Sequence, residues 1–184
     1  MEKIKYAAWL RGINVGGNNI IKMDRLKRFF EEMGFSDVKT YIQSGNIIFG
    51  DNEKSKQKLR ERIENKLAEE IKNKVCIALF TMDEMEEVIC MKPENFGEDN
   101  QNYKYDVIYL IEPLTAKEAV KEFKPKEGVD EINMGQKVLY VSRLKKELTK
   151  SRFSKIIESK IYSKITVRNW NTTIKLYELM KNKI

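Results

Sequence analysis

The stretch Val38-Lys39-Thr40-Tyr41-Ile42-Gln43-Ser44-Gly45-Asn46-Ile47-Ile48-Phe49 decides the fold. Apolar, β-branched and aromatic residues on both sides of Ser44-Gly45 predict two strands joined by a tight turn. Upstream, Met23, Leu26, Phe29, Phe30 and Met33 share one face of a helix over about 23–33, and Gly34 is suited to stop it. Before that helix, Tyr6-Ala7-Ala8-Trp9-Leu10 reads as a strand. Downstream, Leu59, Ile63, Leu67 and Ile71 recur at spacing four in a helix over roughly 53–73, and Val75–Phe80 reads as another strand. The order βαββαβ is the ferredoxin-like split βαβ arrangement.

The second half of the chain reads as a repeat of the first. After a short acidic helix near 82–91 and a loose Pro/Asn/Gly stretch at 93–102, residues 105–111 form a strand and 115–123 a helix. Strands at 131–133 and 138–141 flank Gly135, a basic helix covers 149–162, a short strand 165–167, and a last helix 170–181. The two hairpins correspond: Ile42-Gln43-Ser44-Gly45-Asn46 against Ile132-Asn133-Met134-Gly135-Gln136. The expected architecture is α+β, two tandem ferredoxin-like subdomains at 1–92 and 103–184 with an extra C-terminal helix.

The repeat draws attention to Arg11-Gly12-Ile13-Asn14-Val15-Gly16-Gly17-Asn18-Asn19. From the first strand to the hairpin glycine the first half spends 35 residues, Leu10 to Gly45, and the second half 24, Ile111 to Gly135. The surplus falls mainly in this loop, and long connections in α/β units are often functional. A strand feeding a glycine-rich loop and then a helix aims backbone N–H groups at an anion. The loop lacks the Gly-Lys-Ser/Thr ending of a P-loop and the G-x-G-x-x-G spacing of a dinucleotide site. Topology places it beside the hairpin, because strands one and three are neighbours. The pooled candidate ligand site comprises Arg11, Gly12, Asn14, Gly16, Gly17, Asn18, Lys22, Gln43, Ser44 and Asn46. Its donors suit phosphate or carboxylate. The alternative is that the glycines only permit positive φ and the asparagines form local turns.

Net charge is +7, but residues 137–184 hold 13 Lys/Arg against 3 Asp/Glu, so the basic character is one-sided. That is the footprint of phosphate partners, or a solvated surface in a chain that favours lysine throughout. A second basic cluster is drawn from Lys150, Arg152, Arg168, Asn169 and Asn171. Asn169 suits the N-cap of the last helix. Trp170 either stacks on a ligand ring or belongs to the core with Ile174 and Tyr177.

The absence of histidine removes imidazole acid–base catalysis and His-activated nucleophiles. Two cysteines, Cys76 and Cys90, make neither a disulfide framework nor a metal spacing, so no metal and no cofactor are implied. No apolar run reaches membrane-spanning length, and the first residues lack a signal-peptide pattern, which points to the cytoplasm and away from a membrane.

Leu10–Gly17, Lys22-Met23, Thr40–Asn46 and Arg168–Thr172 together resemble the signature of the bacterial family called domain of unknown function 1697. The resemblance spans nearly the whole chain and implies an intracellular protein of two α+β subdomains. It assigns no activity and no catalytic residue. The residues themselves point to binding of a phosphate-bearing partner, nucleic acid or nucleotide. The competing readings are an enzyme acting on a small anionic metabolite through Lys22 or Ser44, and a protein-interaction module.

Overall fold

A computed structural model describes residues 3–14 and 20–182. Among them are eight strands and five α-helices: β1 Ile4–Arg11, α1 Met23–Glu32, β2 Ser36–Tyr41, β3 Asn46–Asp51, α2 Lys56–Ile71, β4 Cys76–Thr81, α3 Met82–Cys90, β5 Tyr103–Leu110, α4 Ala116–Lys121, β6 Asp130–Met134, β7 Val138–Leu144, β8 Ile165–Asn169 and α5 Trp170–Lys181. They make two four-stranded antiparallel sheets, ordered β2-β3-β1-β4 and β6-β7-β5-β8. The chain divides into two compact units, one of Met1–Glu86 with Lys175–Ile184 and one of Glu87–Ile174. This division differs from a linker at 93–102. Phe96 in that stretch is buried in the second unit, edge-on to Tyr105, Tyr140 and Trp170.

In the first unit, β1 pairs with β3 through Tyr6↔Phe49 and Ala8↔Ile47, and with β4 through Ala8↔Leu79 and Leu10↔Ile77. Alternation therefore puts Tyr6, Ala8, Leu10, Ile47, Phe49, Ile77 and Leu79 on one face, where they pack with Leu26 and Phe30 of α1 and Leu59, Ile63 and Leu67 of α2. The spacing-four stripe expected of α2 is thus its buried stripe, with Ile71 packed at the margin. Ser55 caps α2 by accepting from the Lys58 amide at 3.4 Å. Thr81 and Glu84 reciprocally cap α3, the Glu84 amide donating to Thr81 Oγ1 and the Thr81 amide to Glu84 Oε2.

The second unit has a core of Ile108, Leu110, Leu139, Val141 and Ile165 on one sheet face, with Ala116 and Ala119 of α4 against it. The basic helix expected over 149–162 is not formed. Lys145–Lys150, Phe153–Glu158 and Tyr162–Lys164 are short 3-10 turns instead. The buried residues Ile156 and Ile161 stand five apart, which gives no continuous helical stripe. Local side chains also compete for the backbone: the Phe153 amide donates to Ser151 Oγ, Ser159 Oγ donates to the Ile156 carbonyl, and the Arg152 amide donates to Asp130 Oδ2 at 2.8 Å.

Helix α5 starts where expected. Asn169 Oδ1 accepts from the Asn171 amide at 3.0 Å and so caps it. Trp170 is core, 4 % exposed. The buried stripe continues through Thr173, Leu176 and Met180 rather than through Ile174 and Tyr177, which are half-buried.

Candidate functional site

The 11–14 segment and the 42–46 hairpin meet at one end of the first sheet. The Leu10 amide donates to the Gly45 carbonyl at 2.8 Å. Gly45 has φ +67, and a Cβ there would lie 2.9 Å from Leu10 Cβ, so only glycine lets the hairpin come this close. Ile13 is fully buried beneath the turn.

Asn14 ties the ends of the long loop to the hairpin. Its Nδ2 donates to the Ile21 carbonyl at 3.0 Å and to the Gln43 carbonyl at 3.1 Å, and its Oδ1 accepts from the Ile21 amide at 2.8 Å. Asn14 itself has φ +55, which asparagine tolerates better than most residues. Ile42, one residue before Gln43, has φ +48 although it is β-branched and half its surface is exposed, so the hairpin tip holds a strained backbone.

A surface cleft opens beside this frame, lined by Asn14, Ile20, Ile21, Lys22, Met23, Asp24 and Gln43. Lys22 occupies the N-cap position of α1 with extended backbone and makes no side-chain cap hydrogen bond. Its ammonium group and the first-turn amides of α1 therefore belong to the same end of the helix, where partial positive charge accumulates. Asp24 adds the one carboxylate among the described lining residues.

Of the expected site residues, Asn14, Lys22 and Gln43 line the cleft. Arg11 does not; it ends β1 opposite Cys76. Ser44 and Asn46 hold the hairpin together, the buried Asn46 Nδ2 donating to Ser44 Oγ at 2.8 Å and to the Tyr41 carbonyl at 3.0 Å. Gly12 has φ +76 just after β1. Gly16, Gly17 and Asn18, with the positive φ expected at Gly16 or Gly17, lie outside the described residues. Ile20, Ile21, Met23 and Asp24 were missed as lining because their apolar and helix-start character reads as packing and capping.

The second basic cluster is dispersed among structural tasks. Lys150 pairs with Glu147 at 2.7 Å. Arg152 is exposed and Asn171 follows the cap. Arg168 Nη1 donates to Thr166 Oγ1 at 2.7 Å and to the Val167 carbonyl at 2.8 Å, and loss of water around it lowers its pKa to about 10. Asn169 Nδ2 donates to the Tyr105 carbonyl at 2.9 Å, joining the start of α5 to β5. Among the described residues, no group of three His, Cys, Asp or Glu side chains could hold a metal ion, and no helix is long and apolar enough to cross a membrane.

The chain is similar to the solved structure of the conserved bacterial protein SP0830 from Streptococcus pneumoniae, with a TM-score of 0.82 and 26 % identity over 97 % of this chain and 99 % of that one. No curated protein matches it. The family described as Protein of unknown function (DUF1697) matches residues 4–140, which include the Asn14-tied loop, the hairpin and the cleft beside them, and the chain belongs to that family.

Proposed function

We propose that this protein binds a phosphate-bearing ligand in the cleft at the start of α1. The observation that carries the reading is the N-terminus of α1, where Lys22 stands at the cap position without a side-chain cap and lines a cleft whose wall Asn14 fixes to the hairpin. First-turn amides and an ammonium group at one helix end form a common anion-binding arrangement. A nucleotide or phosphorylated metabolite fits this reading better than a nucleic-acid chain. Lys150 is paired with Glu147 and Arg168 bonds its own strand, so these basic residues of the second unit are engaged in local contacts. The same strand order in both sheets, with β1 and β5 central, supports reading the architecture as a tandem ferredoxin-like duplication whose second copy has exchanged its second helix for 3-10 turns.

Calorimetric titration with inorganic phosphate and a nucleotide panel tests the proposal. Saturable binding should weaken about tenfold or more in Lys22→Ala with an unchanged melting temperature, the loss expected for a charge-assisted hydrogen bond. Absence of saturable binding to every phosphate compound, or binding indifferent to Lys22, overturns it.

A further inference from the structure

The second unit carries a cavity of about 560 Å³ lined by Pro93, Glu94, Asn95, Phe96, Glu98, Asp99, Tyr103, Tyr105, Glu131, Asn133 and Ser142. That volume lies within the range of small-molecule sites, roughly 300–1,000 Å³. Its floor is one row of the sheet. Tyr105 of β5 stands opposite Ser142 of β7, and Ser142 stands opposite Glu131 of β6, so ring, hydroxyl and carboxylate are side by side on one face. Its rim is the 93–99 turn, seated on the core by Phe96.

Ser142 is the telling residue. It is 8 % exposed, lines the cavity, and its hydroxyl has no hydrogen-bond partner among the described residues. The hydroxyl opens into the cavity, so its donor and its acceptor are both available to a ligand that fills the space. The lining is acidic and contains no lysine or arginine. Glu98 is matched by Lys92 at 3.2 Å, and Asp99 is turned to Asn102, whose amide and side chain hold its pKa below the usual carboxylate range. Glu94 and Glu131 have no cationic partner among the described residues, Glu131 accepting only from Asn133 Nδ2 at 3.0 Å. Tyr103 and Tyr105, with ring centroids 6.1 Å apart, add aromatic faces.

From the Tyr105–Ser142–Glu131 row and the unpaired Glu94 on the rim, we infer that this cavity binds a protonated organic amine or guanidinium group. Such a cation donates N–H bonds to the Ser142 hydroxyl and Glu131, neutralises the local negative charge, and lies against the tyrosine rings in a cation–π contact. The shared chemistry has two sources, a free di- or polyamine and the lysine or arginine side chain of a polypeptide. The inference concerns a site separate from the α1 cleft and does not rest on the phosphate reading.

The test uses the intact chain, with putrescine, spermidine, a short lysine-containing peptide and the uncharged diol analogue of putrescine as probes, followed by backbone amide NMR. The expected result is saturable shifts at Tyr103, Tyr105, Glu131 and Ser142 with at least one amine probe and none with the diol. Glu131→Gln should weaken binding about tenfold. Glu94→Gln, at an exposed rim position that leaves the fold intact, should weaken it by a smaller factor, and Glu158→Gln, outside the cavity, should leave it unchanged. Binding of putrescine or spermidine assigns the source to free amines, and binding of the peptide alone assigns it to a polypeptide. Shifts that do not saturate, that appear equally with the diol, or that respond alike to Glu131→Gln and Glu158→Gln overturn the proposal.

Discussion

Gly97 and Asn14 show how a single position sets the geometry around a candidate site. Gly97 has φ +86, and a Cβ there would lie 2.2 Å from Trp170 Nε1. Gly97→Ala must both strain the backbone and displace a buried indole, so stability should fall by about 3 kcal/mol, read as a lower urea midpoint. Asn14 spends its whole side-chain amide on Ile21 and Gln43. Asn14→Ala should cost about 1–3 kcal/mol, and Asn14→Asp should also destabilise, because it keeps the acceptor for the Ile21 amide but turns a carboxylate oxygen toward the Ile21 and Gln43 carbonyls. If hydrogen bonding is what Asn14 contributes, unfolding titrations will place both variants below wild type.

Among the elements, the contrast lies between α2 and the 3-10 turns of residues 145–164. α2 has a side-chain cap at Ser55, 16 residues, and three fully buried apolar side chains. The 3-10 segments are short, and Ile156 is the one buried residue within them. Weaker hydrogen-bond geometry and little burial place them at the low-stability end of the fold. Native-state hydrogen exchange should therefore find amides of 145–164 exchanging on the order of tenfold or more faster than those of 59–67 in α2. Equal protection in the two segments would contradict this assignment.

For the whole molecule, burial of tyrosines governs alkaline stability. Desolvation raises the pKa of Tyr6, Tyr105, Tyr109 and Tyr140 above the ordinary value of 10.0, most strongly at Tyr109, whose hydroxyl bonds to Thr173 Oγ1 at 2.9 Å. In the window above pH 10 the unfolded chain loses these protons while the folded chain keeps those of Tyr109 and Tyr140, whose shifts are large. Their contribution is fully present below pH 10 and is lost as pH rises toward the folded values. Arg168 acts in the opposite sense, because its folded pKa of about 10 lies below its unfolded one, so deprotonation relieves its burial as pH rises. The large upward shifts of the buried Tyr109 and Tyr140 outweigh the one lowered guanidinium. Chemical denaturation at pH 9 and pH 11 should show a lower midpoint at pH 11, with phenolate absorbance of Tyr109 and Tyr140 appearing only on unfolding.

Much of this architecture was legible in the sequence because it depends on local periodicity. The spacing-four stripe of α2, the Gly45 hairpin and the Asn169 cap of α5 are local patterns, and the structure has each of them. The meeting of the 11–14 segment with the hairpin was also legible, since strand order alone makes β1 and β3 neighbours. What the sequence could not specify depended on partners distant in the chain. The segment at 149–162 has helical composition, but Asp130 takes the Arg152 amide and the serines take other backbone groups, so it forms 3-10 turns. Residues 93–102 look like a linker by composition, yet Phe96 and Gly97 fit against Trp170 and bring that turn over the second sheet. The cavity floor of Tyr105, Ser142 and Glu131 joins three strands whose register is fixed by tertiary hydrogen bonding, which no local pattern specifies.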